Sequence, residues 1–300
     1  MNGKSIVPVI ISMTLVATPA FAVDDLLEAA DEAHGEERYE HAMELLDEAD
    51  TEASVDEQRA EIAWRRARTT LSMVDRDLAA DTISDSEAVE RLEQGEQYGE
   101  DAVDYYDRLA EGWFWQAANK GRRGQVRGVL NSLFMASDVR DLAMEAIELD
   151  EDLTESYFLL GVMYRELPGG FVSFGDDEKA VSLARLEVDR HEQDRERNEV
   201  DDVFYNYYIE LAHNLYERNW GESQRNRRQS GLRDEYERAS ENIERAFAYE
   251  GTVSLADGSD RDEAMDIIDW VISEIQGRDS PTQGQLDDLA EAEELRDDWN

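Results

Sequence analysis

Tyr157-Phe158-Leu159-Leu160-Gly161-Val162-Met163-Tyr164 decides how this chain folds. Tyr157, Leu160, Gly161 and Tyr164 recur at the spacing of one helical face, so on an α-helix they form a single stripe. The small Gly161 within the stripe leaves room for a second helix to cross, and Ala180 downstream is the matching small residue. Weaker stripes repeat the arrangement: Leu26, Ala29 and Ala30 before Ala42, Leu46 and Ala49, then Tyr208, Leu211, Ala212 and Leu215 before Ala239, Ile243 and Ala246. Any one of them alone reads equally well as an amphipathic helix in a bundle. Together they point to a repeated helical hairpin.

Outward from this stretch, the sequence is helix-forming almost throughout. It has 4 prolines, two of them at Pro8 and Pro19, and is rich in Ala, Leu, Glu and Arg. The pattern predicts an all-α chain of six hairpins: 25–33 with 39–49, 57–74 with 87–109, 112–119 with 126–149, 153–167 with 177–191, 203–218 with 232–249, and 261–275 with 285–297. The Tyr-x-x-Leu-Gly-x-x-Tyr spacing resembles the first helix of a tetratricopeptide repeat, with Tyr in place of Trp. The resemblance implies a superhelical array with a concave groove or a tunnel. Two hairpins exceed the usual repeat, with extra residues around 168–175 and 220–231. Long loops inside a repeat serve a site or a partner.

At the N-terminus, Lys4, the apolar run Ile6 to Val16 and Ala20-Phe21-Ala22 read as a secretory signal over residues 1–22. Residues 23–300 are then one helical domain, exported to the periplasm and without a membrane span after cleavage. The chain has no cysteine, hence no disulfide and no site for a lipid anchor. Its formal net charge is −43, and its only lysines are Lys4, Lys120 and Lys179. Such a surface repels nucleic acid and anionic lipid. It suits a protein adapted to high salt, where self-repulsion is screened. Disorder is the competing reading of such acidity. The 41% apolar content at helical spacing argues against it.

Five stretches between Trp64 and Glu187 resemble the tetratricopeptide-repeat T component, or TatT, that accompanies some tripartite ATP-independent periplasmic (TRAP) transporters. They are Ala63-Trp64-Arg65-Arg66-Ala67, Gly112-Trp113-Phe114-Trp115-Gln116-Ala117-Ala118, Met144 to Asp150, Leu160-Gly161, and Leu167-Pro168-Gly169-Gly170 leading to Gly175-Asp176. The resemblance implies a periplasmic helper with an apolar tunnel or groove that docks the solute-binding protein of an organic-acid transporter. Members of that family are often lipoproteins. Here free diffusion or self-association as a homo-oligomer takes the place of the anchor. The eukaryotic regulators of microtubule dynamics share the Trp-Arg-x-Ala helix, but the bacterial-type signal argues against that assignment.

The candidate ligand-binding residues are Trp113, Trp115, Asn119, Tyr157, Tyr164, Phe171 and Phe174. Trp113, Phe114 and Trp115 are consecutive on a predicted helix, about 100° apart, so they cannot all share one core face. Phe171 and Phe174 lie in the glycine-rich insertion, placed either to close over a ligand or to fold back as a plug. Tyr205 and Tyr207 precede the repeat position Tyr208 and are candidates for partner binding. Two arginine groups stand out from the acidic background: Lys120, Arg122, Arg123 and Arg127, then Arg225, Arg227, Arg228 and Arg233. Of these, Arg122, Arg123, Arg227 and Arg228 are the candidates to meet a partner's carboxylates. Neutralisation of nearby Asp and Glu within the chain is the plainer alternative.

Nothing in the sequence reads as an enzyme, a cofactor site or a metal site. His34, His41, His191 and His213 lack the His-Glu-x-x-His spacing, and there is no Gly-x-x-x-x-Gly-Lys loop or Gly-x-Ser-x-Gly elbow. The acidic run Asp257 to Glu263 lacks the glycine and terminal glutamate of a calcium loop and instead suits a helix N-terminus. The expected function is ligand handling and docking of a solute-binding protein. The alternative is a ligand-free scaffold for envelope assembly.

Overall fold

The computed structural model describes residues 19–170, 172–197, 200 and 202–299; for residues 19–22, 129 and 130 it describes the backbone alone. Thirteen α-helices and no strand occur among the described residues. They are α1 (Pro19–Gly35), α2 (Tyr39–Glu52), α3 (Asp56–Ala79), α4 (Asp85–Tyr105), α5 (Ala110–Arg127), α6 (Val129–Leu149), α7 (Thr154–Glu166), α8 (Asp177–Glu196), α9 (Tyr205–Arg218), α10 (Glu222–Arg238), α11 (Asn242–Phe247), α12 (Asp260–Gln276) and α13 (Gln283–Trp299). A single 3-10 turn, Tyr249–Gly251, follows α11. The protein is an all-α array of tetratricopeptide-like helical hairpins in which sequential helices pack together. No described helix is long and apolar enough to cross a membrane.

Helix ends follow their local chemistry. Ser84 opens α4 by accepting a hydrogen bond from the Glu87 amide, and Asp176 opens α8 by accepting from the amides of Glu178 and Lys179. Ser259 and Asp262 form a reciprocal capping box at α12, as the acidic run suggested. Asn219 ends α9 in the left-handed region, at φ 53.

The stripe quoted first behaves as expected. Tyr157, Leu160, Gly161 and Tyr164 are buried against Ala180 and Leu183 of α8. In hairpin three, the helix break expected after Asn119 falls later. Gly121 and Gly124 stay inside α5, and Gly128, at φ +95, separates it from α6.

Hairpin five differs from the expectation. The segment expected to be a loop at 220–231 is mostly helical, as α10. Ala239 caps α10 and does not enter a packed stripe. The face Tyr208, Leu211, Ala212 and Leu215 packs instead on Ala264, Ile268 and Ile272 of α12, while Ile243 and Ala246 join the core beside α7 and α8. The segment from α10 to the 3-10 turn is thus an insertion between the two helices of the fifth hairpin. It is held by charge: Arg185, Arg218 and Arg225 interleave with Glu250, Asp260 and Glu263. Burial opposes the charged forms of Glu250 and Glu263, but the surrounding arginines win and hold both carboxyls below their ordinary range.

Candidate functional site

Trp64-Arg65-Arg66-Ala67, on α3, clamps four helices. The Trp64 indole donates to Glu61 and lies under the Arg65 guanidinium, 4.2 Å from ring to Cζ. Arg65 reaches Asp31 of α1 at 3.0 Å, and Arg66 reaches Asp47 of α2 at 2.7 Å. The Ala67 carbonyl accepts from the Asn119 amide of α5 at 3.1 Å. The glycine-rich insertion is equally architectural. A Cβ on Gly175 would lie 1.8 Å from the Leu167 carbonyl oxygen, so the turn closes only around glycine. It closes with Gly175 N–H donating to Pro168 O and Asp176 N–H donating to Tyr164 O.

The framework so built borders a half-open cavity of ≈ 950 Å³ between α3, α5, α6, α7 and α9. Its apolar wall includes Leu71 of α3, Phe114 and Trp115 of α5, Met135 and Val139 of α6, and Phe158, Leu159, Val162 and Met163 of α7. Tyr207 and Asn206 of α9 close it. The Phe114 and Trp115 rings meet edge to face at 4.8 Å, and the Phe158 and Tyr207 rings lie 6.0 Å apart. A volume of this order suits a small-molecule site, where apolar walls carry a few polar groups.

The charged residues on the wall are Arg122, Glu155 and Glu166. Arg122 is held by Asp75 at 2.7 Å and Gln125 at 3.1 Å, and Glu166 by Arg165 at 2.5 Å. Near Glu155 and Tyr207, the Glu187 carboxyl of α8 is fully buried, with neither oxygen hydrogen-bonded. Burial pushes its pKa well above the ordinary carboxylate range, and the charges of Glu210 and Glu155 add to the effect. Burial likewise raises the Tyr207 phenol, reinforced by Glu187 and Glu155.

Of the candidate ligand-binding residues, Trp115 lies on this wall. Trp113 points elsewhere, its indole donating to Asp107 O at 2.9 Å. Asn119 is fully buried, its amide donating to Ala67 O and Trp115 O, so it ties α3 to α5. Tyr157 is core, with its hydroxyl on Glu151 O, and borders a separate polar hollow of ≈ 240 Å³. Tyr164 is core, and Phe174 packs edge-on to it at 5.2 Å, which is the plug arrangement. Phe171 lies outside the described residues.

The partner candidates divide similarly. Tyr205 is fully buried beneath Trp270 and Arg278, where a surface role was expected. Tyr207 faces the cavity. Arg122 and Arg123 are engaged within the chain, Arg123 by Glu93 and Glu96, and Arg228 forms bidentate pairs with Glu178 and Glu235. Arg227 is exposed. The wall residues not foreseen include Phe158, Val162 and Met163 of α7. Their signal was in the opening stretch, since a helix apolar on two faces must bury both.

The fold and this site define a helical-hairpin array with an apolar cavity in its middle. Over residues 26–167 the chain matches the family described as Regulator of microtubule dynamics protein 1-3. Among curated proteins, none matches the chain. The family match runs from α1 to the C-cap of α7, so it covers the cavity walls from α3, α5, α6 and α7 but not Asn206 and Tyr207 of α9.

Proposed function

We propose that this chain is a periplasmic helper that takes an apolar or organic-acid ligand into the cavity and docks the solute-binding protein of a TRAP-type transporter. The observation that carries the reading is the ≈ 950 Å³ cavity with Trp115, Phe158 and Tyr207 on its wall. Docking is supported by apolar side chains left in the open around it. Phe134, 82% exposed, sits between the wall residues Leu133 and Met135, and Val172 is 72% exposed in the loop after the wall residue Pro168. Patches of this kind mark interaction surfaces. The periplasmic setting rests on the signal-like N-terminus. That same feature, with a net charge of −43, sets the reading apart from the microtubule role named in the matched family's description.

The test is native mass spectrometry of the protein purified from its host in high salt, followed by denaturation and analysis of what is released. A stoichiometric small molecule supports ligand handling and gives its class. An empty protein whose purified partners are envelope-assembly proteins, with no solute-binding protein bound, favours the scaffold.

A further inference from the structure

Resting on the ligand-binding reading above but setting its organic-acid option aside, the pattern of partnered and unpartnered charges around the cavity narrows the ligand. The one cation on the wall and two close to it already have their carboxylates. Arg122 belongs to Asp75, Arg165 to Glu166 and Glu210, and Arg68, whose charge reaches Glu155, to Asp31. The groups left over are acids. Glu155 lies on the wall with no hydrogen bond or ion pair to it among the described residues, and Glu187 is buried with both oxygens unpartnered. Beside them are the Tyr207 ring and the Asn206 amide, with Phe158 opposite Tyr207.

An incoming carboxylate would meet the exposed, unpaired Glu155 carboxylate on the wall, and like charges at close range repel. An ammonium would meet the unpaired Glu155 carboxylate and the faces of Tyr207 and Phe158, the surroundings in which organic cations are held. We propose that the cavity takes an amphiphile with an apolar body and a cationic head, a long-chain amine or quaternary ammonium. The body lies along Phe114, Trp115, Leu159 and Met163. The head sits against Glu155 and Tyr207, with Glu187 behind.

The test is calorimetric titration of the full chain with three probes sharing a dodecyl tail: dodecyltrimethylammonium, dodecyl sulfate and a non-ionic dodecyl ether. Each is kept below its micellar concentration, in about 1 M NaCl so that the acidic exterior is screened. The ammonium is expected to bind about 10-fold more tightly than the ether, and the sulfate more weakly than either. Glu155→Gln should reduce the ammonium preference by about 5-fold and leave the ether's affinity unchanged. Glu222→Gln with Glu237→Gln, on exposed positions of α10 away from the wall, should change nothing. Equal binding of all three probes, or a preference for the sulfate, overturns the proposal while leaving ligand binding intact. Failure of all three to bind, with Val162→Trp making no difference, overturns ligand binding itself.

Discussion

Arg218 and Asp260 face each other as a bidentate pair, Nε to Oδ2 at 2.8 Å and Nη2 to Oδ1 at 2.9 Å, with both side chains at most 1% exposed. Arg218 also holds Glu250, so one guanidinium ties α9, the 3-10 turn and the start of α12 together. Arg218→Met leaves two carboxylates without this partner in a dry interior. A loss of about 3–5 kcal/mol is expected, measured by urea unfolding. Because the network is buried, the loss should persist in about 2 M NaCl, where surface pairs are screened. Equal stability of variant and parent would show that the insertion is held by other means.

The two tryptophans flanking Phe114 should separate cleanly. Trp115→Ala removes cavity wall and should weaken binding of an apolar probe by about 10-fold or more. Trp113→Ala should lower stability by about 1–2 kcal/mol, from lost packing and the lost bond to Asp107 O, with affinity unaltered. Probe titration beside thermal unfolding of both variants checks the contrast.

Two glycines of the family-like stretches should respond in opposite ways. A Cβ on Gly161 would meet Leu183 Cβ at 3.8 Å, ordinary contact, so Gly161→Ala should be tolerated within about 1 kcal/mol and gain helix propensity. Gly175→Ala drives a methyl into the Leu167 carbonyl and should destabilise by about 2 kcal/mol or more. Thermal melts of the two variants decide.

His34 and His213 are each lowered to about 4, by burial first and then by Arg68 and Arg165 respectively. Between about pH 6.5 and 4 the unfolded chain therefore binds protons at these positions that the folded chain does not. Stability falls as pH drops through that window, by roughly 1–2 kcal/mol per histidine. Asp288, raised to about 6 by burial and by Glu291 and Asp287, acts in the opposite direction. His34→Gln with His213→Gln should flatten the acid side of the stability profile, read from melts between about pH 4 and 7. An unchanged slope would show that neither histidine is responsible.

How far the sequence carried depended on where the stabilising force lay. Hairpins built on apolar stripes were readable, and the Tyr157 to Tyr164 stripe placed α7 against α8 directly. The first part of helix α10, before Leu232, was not readable as helix. Its sequence, Glu222 to Arg238, has Leu232 and Tyr236 as its large apolar residues, so no stripe announces it. It is anchored instead by Arg225, Arg228 and Leu232, and ion pairs between distant segments leave no periodic trace. The same blindness placed α9's partner at Ala239, when α9 packs on α12, whose Ala264 shares a core cluster with Ala212. At the cavity, aromatic residues were found by type but not by direction. Trp115 and Tyr207 reach the wall, while Asn119, Tyr157, Tyr164 and Tyr205 are consumed by packing.

The cavity wall has one further consequence. The space is lined by Leu71 of α3, Phe114 of α5, Met135 of α6, Phe158 and Val162 of α7, and Asn206 and Tyr207 of α9. A guest there is a strut as well as a passenger, touching helices that lie more than a hundred residues apart along the chain. On the proposed function, loaded and empty forms would differ in stiffness across the middle of the array. A docking partner would then have a mechanical property to read, alongside any chemical group the guest displays.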